Sequence, residues 1–253
     1  MNGKNLRMRR IMESTTGRTV IVPMDHGVSL GPVEGIATIN NSIRRVSEGG
    51  ATCVVVHKGI ASQLNHQIMG NLGLIVHLSA STSLWNEPNR KILVGDALDA
   101  VRLGADAVSV HVNLGGRYET EMMEQMGKVS SHCIELGMPL LAMMYPRGEN
   151  VKDQYDIEAV KKCARVGAEL GADIVKTNYT GDVDSFKEVV KGCHHVPVVV
   201  AGGPKMDSEQ ALLKMVSDAM AAGAAGISIG RNVFQHEDIA AITRKLAAIV
   251  FSR

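Results

Sequence analysis

One kind of junction recurs along this chain: a helical stretch ends in glycine and a short apolar run follows. It occurs at Glu48-Gly-Gly-Ala, Arg102-Leu-Gly-Ala, Glu135-Leu-Gly-Met, Glu169-Leu-Gly-Ala and Ala222-Gly-Ala-Ala. Glycine just past a helix C-terminus adopts the left-handed conformation that turns the chain into the next element. The interval is 33 residues from Gly104 to Gly137 and 34 from Gly137 to Gly171. This spacing predicts repeated βα units.

Eight apolar runs have the length of strands, at residues 19–24, 52–57, 74–78, 107–111, 139–144, 173–176, 197–200 and 226–229. They lack polar and apolar alternation, which is typical of parallel strands buried on both faces. Eight such units predict an α/β fold, a (β/α)8 TIM barrel forming a single domain over residues 1–253, with residues 1–18 as an N-terminal leader segment. The alternative is a doubly wound open sheet, but no Gly-x-Gly-x-x-Gly follows the first strand.

Charge and cysteine content exclude several classes of protein. Lys and Arg number 27 against 26 for Asp and Glu, and no long block of one sign occurs, so nucleic acid is not an expected partner. No apolar run is long enough for a membrane span or a signal peptide. The four cysteines are widely spaced and suggest neither a zinc site nor a disulfide framework. We therefore expect a cytoplasmic protein that binds neither nucleic acid nor membrane.

Polar residues concentrate where the predicted strands end. These residues are Asp25, His57, Lys58, His77, His111, Tyr145, Arg147, Lys176, Gly202, Gly203, Gly230 and Arg231. In a TIM barrel the carboxyl ends of the strands converge on one mouth, where active sites lie. The candidate site is therefore this set of side chains.

Lys176 ends an apolar run, and burial favours the neutral amine, the form that attacks carbonyls to give a Schiff base. The alternative is a structural lysine in a salt bridge. Tyr145 on the neighbouring strand and Asp25 from the first strand supply groups for proton transfer. Lys58 and Lys205 are rival imine lysines, but Lys58 borders a polar loop and Lys205 lies among glycines.

Two glycine-rich turns follow the last two strands, Val200-Ala-Gly-Gly-Pro-Lys205 and Ile229-Gly-Arg-Asn232. The bare amides of Gly202, Gly203 and Gly230, with Arg231 beside them, predict a phosphate site at the position where barrels commonly hold phosphate. The alternative is that these glycines only make tight turns. Further candidates for binding the substrate are Lys205, Arg147 and His26.

His57, His77 and His111 at consecutive strand ends permit a different chemistry, in which zinc polarises a carbonyl. These histidines lack an evident carboxylate partner, and histidines at strand ends often serve as neutral hydrogen-bond donors. We therefore predict no metal and no cofactor.

Five segments, Val22–Ser29, Ala142–Gly148, Gly171–Thr177, Val200–Lys205 and Ile229–Phe234, resemble the archaeal-type class I aldolase family. The resemblance runs from about Thr19 to the last helix with the motifs in order. It implies that Lys176 forms the Schiff base, that Tyr145 transfers protons and that Asp25 is the acid/base partner. It also implies that Gly202, Gly203, Gly230 and Arg231 hold phosphate, and that the protein is a homo-oligomer, with a decamer among the expected forms.

Within the family, the resemblance favours members that catalyse a transaldol reaction. These join a fragment of the sugar phosphate 6-deoxy-5-ketofructose 1-phosphate to the aldehyde L-aspartate semialdehyde, for 3-dehydroquinate and aromatic amino acid biosynthesis. Fructose-1,6-bisphosphate aldolases of the family tend to have Trp two residues before the tyrosine, where this chain has Met143. Fructose-bisphosphate aldolase is the alternative, followed by an aldolase that joins aspartate semialdehyde to dihydroxyacetone phosphate. A non-catalytic sugar-phosphate binding protein is a further alternative.

Overall fold

The computed structural model describes residues 2–252; Met1 and Arg253, the ends of the predicted domain, lie outside the described residues. The strands are β1 Thr19–Pro23, β2 Cys53–Val56, β3 Gly73–His77, β4 Ser79–Ala80, β5 Ile92–Leu93, β6 Ala107–Leu114, β7 Leu140–Pro146, β8 Ile174–Thr177, β9 Val198–Ala201 and β10 Gly226–Ser228. The helices are α1 Asn2–Ile11, α2 Gly27–Leu30, α3 Ile39–Glu48, α4 Lys58–Ala61, α5 His66–Met69, α6 Ala97–Arg102, α7 Glu119–Leu136, α8 Ile157–Glu169, α9 Val183–Gly192, α10 Glu209–Ala221, α11 Arg231–Phe234 and α12 Ile239–Phe251.

Eight strands close into a parallel barrel in the order β1-β10-β9-β8-β7-β6-β3-β2. Closure is direct, because β1 pairs in parallel with both β10 and β2. The short strands β4 and β5 form a separate antiparallel pair between β3 and β6. The predicted (β/α)8 barrel is thus confirmed, and the open sheet is wrong.

Two barrel strands, β6 and β7, are longer than their apolar runs indicate. β6 and β7 stay in register from Val108 opposite Leu140 to Leu114 opposite Pro146. His111 therefore lies within β6 and not at its end. The apolar runs are shorter than the strands because each run ends at or just before a polar residue, whereas the backbone pairing of β6 and β7 continues to Leu114 and Pro146.

The predicted loops over residues 61–72 and 79–89 also contain regular structure, namely α5 and β4. At the helix ends, Gly104, Gly137 and Gly171 all have positive φ, as predicted. Gly137, at φ 59°, is the left-handed C-cap of the long helix α7. At the other ends, α6, α8, α9, α10 and α12 begin at side chains that accept a backbone N–H bond, from Asp96, Asp156, Asp182, Ser208 and Asp238.

The buried apolar residues form two clusters. One lies between the strands and the surrounding helices, and the other fills the barrel interior. The predicted leader contains α1, and its buried Ile11, together with Met12, joins the interior cluster. Salt bridges from Lys4 to Asp173 at 2.8 Å and from Arg10 to Asp106 hold α1 in place. Within residues 2–252, none of the helices combines the length and apolarity that a membrane crossing requires.

Candidate active site

The carboxyl ends of the barrel strands surround a cavity of about 370 Å³. Nine of the ten predicted site residues line it: Asp25, His26, Tyr145, Arg147, Lys176, Gly202, Gly203, Gly230 and Arg231. The tenth, Lys205, lies outside this cavity and donates a hydrogen bond to the Gln235 carbonyl at 3.2 Å. The rival Lys58 is half exposed and pairs with Asp99. The barrel thus gathers the predicted set around Lys176.

Lys176 points into the barrel, two residues beyond the interior Ile174, and only 8% of it is exposed. Its strand neighbours are Met143 on β7 and Val199 on β9. Asp25 is the single carboxylate among the residues that line the cavity, and within residues 2–252 the structure gives Lys176 no salt bridge. A buried amine without a paired carboxylate differs from the structural lysine that was the alternative, and fits a nucleophile.

Asp25 follows β1 and faces several basic groups. Burial favours its protonated form, but in acid, where Asp25 would titrate, the charges of protonated His77, His26 and Lys176 outweigh burial and hold the pKa of Asp25 well below its usual range. His77 Nε2 lies 3.6 Å from one carboxylate oxygen and His26 Nδ1 lies 3.4 Å from the other. Asp25 is therefore an ionised base in the cavity at neutral pH.

The three histidines of the zinc hypothesis have hydrogen-bonding and stacking partners. Burial lowers the pKa of His77 to about 4 despite Asp25, so its ring is neutral at pH 7. His77 Nδ1 lies 2.8 Å from Ser109 Oγ, and His57 stacks edge-on against the same ring at 5.2 Å. His111 Nε2 lies 2.8 Å from Asn113 Oδ1. Within residues 2–252, no three His, Cys, Asp or Glu side chains are placed to share a metal ion.

Tyr145 is buried on β7, and its ring contacts His111 and Arg147. Its ring packs edge-on against His111 at 5.0 Å, and the Arg147 guanidinium lies 4.6 Å from its centre, a cation–π contact. Because side chains alternate along a strand, Tyr145 lies on the same face as Met143, the residue opposite Lys176. The tyrosine is thus one step further toward the mouth than the lysine.

The glycine turns after β9 and β10 form a polar cup, which we define as Gly202, Gly203, Ser228, Gly230 and Arg231. Ser228 Oγ and Arg231 Nε are buried and have no hydrogen-bond partner within residues 2–252. A buried polar atom without a hydrogen-bond partner lowers the stability of the fold unless a ligand supplies that partner. The cup therefore has the donors that an anion requires.

Gly230 is needed for the close approach of β10 to β1. A Cβ atom at this position would lie 2.6 Å from both His26 Cε1 and the Pro23 carbonyl oxygen. Any side chain there would displace the segment that carries Asp25. Glycine at position 230 therefore allows the cup to lie directly beside the segment that carries Asp25.

The family assignment follows from a comparison over most of the chain. The family model described as DeoC/LacD family aldolase matches residues 19–236, from the first strand to the turn after α11. The chain belongs to the DeoC/LacD aldolase family. The archaeal-type class I aldolase resemblance predicted from the motifs is thereby confirmed.

This aldolase is similar to several named proteins and to a solved structure. It is 48% identical, over 99% of its length and 92% of the relative's, to 2-amino-3,7-dideoxy-D-threo-hept-6-ulosonate synthase 1 of Archaeoglobus fulgidus. It is 40% identical, over 98% of its length and 90% of the relative's, to 2-amino-4,5-dihydroxy-6-oxo-7-(phosphonooxy)heptanoate synthase of Streptomyces griseus. A solved archaeal fructose-1,6-bisphosphate aldolase, with its catalytic lysine bound to the carbinolamine intermediate, superposes with a TM-score of 0.91 at 33% identity, covering 98% of this chain and all of the other.

The structure of this aldolase adds two residues that the sequence analysis missed, Ser228 and Lys91. Ser228 lies at the end of β10, within the eighth apolar run of the sequence. Because side chains alternate along a strand, its position in that run could have indicated that it faces the cavity. Lys91 comes from the polar connection between β3 and β6, and only tertiary folding brings it to the mouth. Its Nζ donates to Ser81 Oγ, and β5 follows directly.

Proposed function

We propose that this aldolase is a Schiff-base transaldolase-type enzyme. It transfers a three-carbon fragment of 6-deoxy-5-ketofructose 1-phosphate to L-aspartate semialdehyde and forms 2-amino-3,7-dideoxy-D-threo-hept-6-ulosonate, for 3-dehydroquinate and aromatic amino acid biosynthesis. The observation that carries the chemistry is the buried Lys176, without a salt bridge in residues 2–252, in a cavity whose only lining carboxylate is Asp25. The choice of product is supported by the 48% identity to the Archaeoglobus fulgidus synthase.

The product's own carbon chain determines which bond must break. Its carbons 1 to 4 carry the carboxylate and amino group of aspartate semialdehyde, and carbons 5 to 7 are a hydroxymethine, a ketone and a methyl group. The same three carbons are carbons 4 to 6 of the donor. The cleaved bond therefore joins donor carbons 3 and 4, and the phosphate leaves with the released fragment.

In the first half-reaction, neutral Lys176 Nζ attacks the ketone at donor carbon 5, and loss of water gives the iminium. A base then takes the proton from the hydroxyl on carbon 3, the bond to carbon 4 breaks, and its electron pair forms the enamine on Lys176. Carbon 3 becomes the aldehyde of the departing fragment. In the second half-reaction the enamine carbon attacks the aldehyde of aspartate semialdehyde, the new alkoxide takes a proton, and water releases the product.

Tyr145 and Asp25 have different parts in these proton transfers. Asp25 is ionised at neutral pH, so it stabilises the iminium by charge, and its carboxylate is the acid/base partner that the family resemblance implies. Tyr145, one step nearer the mouth than Lys176, has a phenol that can donate to or accept from the hydroxyl at the bond being broken. The cup takes the donor's phosphate, because Ser228 Oγ and Arg231 Nε are buried there without a hydrogen-bond partner within residues 2–252, and the amides of its glycines can approach an anion closely.

A trapping experiment tests the imine. Borohydride added with the ketose phosphate should attach a three-carbon fragment to Lys176, identified by peptide mass spectrometry. Lys176→Met should abolish both trapping and turnover, while Lys58→Met, outside the cavity, should retain both. Undiminished activity in Lys176→Met would end the proposal. Turnover of fructose 1,6-bisphosphate in preference to the proposed substrates would replace it by the aldolase alternative.

The proposal includes a cytoplasmic homo-oligomer, with a decamer among the expected forms. The four cysteines of the chain are all free and buried, as is usual for proteins of the reducing cytoplasm. The assembly is supported by Leu84 and Trp85, which are 95% and 57% exposed on the connection between β4 and β5 and form an apolar pair suited to a subunit contact. Light scattering on the purified chain measures the assembly, and a monomer would contradict it.

A further inference from the structure

The cavity has a second cationic group besides the cup. Lys91 and Arg147 both line it, on elements distant from the cup. Arg147 follows β7, and Lys91 precedes β5 in the connection between β3 and β6. In the barrel order, the gap between β3 and β6 lies across the ring from β9 and β10. The mouth therefore has positive groups on opposite walls, with Lys176 on β8 between them.

These two cations are held in place without a carboxylate partner. Lys91 Nζ donates to Ser81 Oγ, and Arg147 Nε donates to Gln154 Oε1 at 3.3 Å. The part of the chain that the structure describes, residues 2–252, gives neither of them a salt bridge. Two half-buried like charges on one wall are unfavourable unless an anion joins them. The arrangement is that of an anion site.

The fold fixes Lys91 more firmly than its place in a long connection indicates. β5 pairs with β4, which begins two residues after β3, and the Val94 amide donates to the Leu78 carbonyl at 2.8 Å. On the other side, Asn113 Nδ2 of β6 donates to the Asn89 carbonyl at 2.8 Å. Lys91 is thus anchored to both neighbouring barrel strands.

We propose that Lys91 and Arg147 bind the carboxylate of the acceptor aldehyde during the second half-reaction. The inference rests on the proposed function, in which the phosphate leaves with the released fragment and an uncharged three-carbon enamine remains on Lys176. The acceptor's carboxylate must then be recognised by the protein itself. Burial and the neighbouring Arg147 lower the pKa of Lys91 to about 8, and perturbed pKa values of this kind cluster at functional sites.

The vacated cup is the competing location for the carboxylate. Its glycine amides, with Ser228 and Arg231, suit a compact phosphate. The Lys91–Arg147 pair instead lies beside Tyr145, since the Arg147 guanidinium packs on that ring. A carboxylate held there would place the acceptor's aldehyde near the proton-transfer group, which favours this pair over the cup.

The test compares charged and uncharged acceptors. We measure kcat/KM for L-aspartate semialdehyde and for butanal, both with the ketose phosphate as donor, in wild type, Lys91→Met, Lys91→Arg, Arg231→Met and the control Lys58→Met. In Lys91→Met the preference for aspartate semialdehyde over butanal should fall about 10- to 100-fold, the loss of one charge-assisted contact. Lys91→Arg should restore most of it, and Lys58→Met should leave it unchanged.

Three results would overturn the inference. An equal loss on both acceptors would show that Lys91 only supports the connection. An unchanged preference in Lys91→Met would show that the carboxylate binds elsewhere, and a collapse confined to Arg231→Met would assign it to the cup.

Failure of the proposed function looks different. In that case wild type would form no product from aspartate semialdehyde but would cleave fructose 1,6-bisphosphate. The comparison of fructose 1,6-bisphosphate with fructose 1-phosphate would then test the same pair, since the second phosphate takes the place of the carboxylate. An undiminished preference for the bisphosphate in Lys91→Met would refute the anion site there too.

Discussion

Replacing Lys91 by methionine should stabilise the protein, which is an unusual outcome for a residue placed in a binding site. Burial, and then Arg147, lower the pKa of Lys91 from 10.5 to about 8. At about 1.4 kcal/mol per pKa unit this lowering corresponds to about 3 kcal/mol, and to ~2 kcal/mol once its half-exposed position is allowed for. Methionine loses the hydrogen bond to Ser81, about 1 kcal/mol. We therefore expect Lys91→Met to raise the unfolding free energy at pH 7 by about 1 kcal/mol.

The pH dependence of this gain distinguishes charge from packing. The unfolded lysine keeps its proton up to about 10.5, whereas the folded one loses it near pH 8. The cost of the folded cation is therefore complete below pH 8 and shrinks between pH 8 and 10.5. Urea unfolding followed by circular dichroism at pH 7 and pH 9.5 measures the difference in unfolding free energy between Lys91→Met and wild type. Lys58→Met is the control for a removed surface charge. A gain that is equal at both pH values, or a loss at pH 7, would refute the reasoning.

Three further predictions concern the site itself. Tyr145→Phe should still form the borohydride-trapped imine but turn over about 10²- to 10⁴-fold more slowly, since general acid–base catalysis contributes that much; loss of trapping would place Tyr145 earlier in the reaction. Ser228→Ala should raise KM for the ketose phosphate about 10-fold with little change in kcat, as for one lost hydrogen bond to a charged group, whereas an unchanged KM would remove Ser228 from the cup. Gly230→Ala should cost about 1–3 kcal/mol in urea unfolding, because its Cβ would lie 2.6 Å from His26 Cε1 and from the Pro23 carbonyl; wild-type stability would show that the two strand ends move apart freely.

The barrel was predictable from sequence because its signals are local. A helix that ends in a left-handed glycine, followed by an apolar run, is determined by backbone sterics and burial within a few residues. Residues at strand ends were predictable for the same reason, since the topology brings them to one mouth wherever the strands lie. Asp25, Tyr145 and Lys176 could therefore be grouped although they are far apart in the chain.

What the sequence did not predict depends on contacts between distant segments. Lys91 reaches the cavity because β5 pairs back onto β4, and two-residue strands leave no periodic pattern in a polar connection. The role of α1 under the barrel was missed similarly, since the Arg10–Asp106 bridge joins residues in different units. For Lys205 the local sequence predicted a role that the fold does not provide. Its glycine-rich neighbourhood predicted a phosphate ligand, but Pro204 separates it from the cup and its amine donates to the Gln235 carbonyl.

The histidines that suggested a metal site give Asp25 its catalytic character in the proposed reaction. A protonated His77 would pair with Asp25 and neutralise it, but burial keeps that ring neutral at pH 7. Its Nδ1 lies against the Ser109 hydroxyl, which leaves Nε2 to face the carboxylate as a dipole and not as a counter-charge. Asp25 therefore keeps its full negative charge for the positive iminium that develops on Lys176, where a preorganised charge contributes most. To bind zinc, His77 would have to give up one of these two contacts, and Asp25 would then compete as a ligand for the metal. The same buried histidines thus serve imine chemistry best when they remain uncharged.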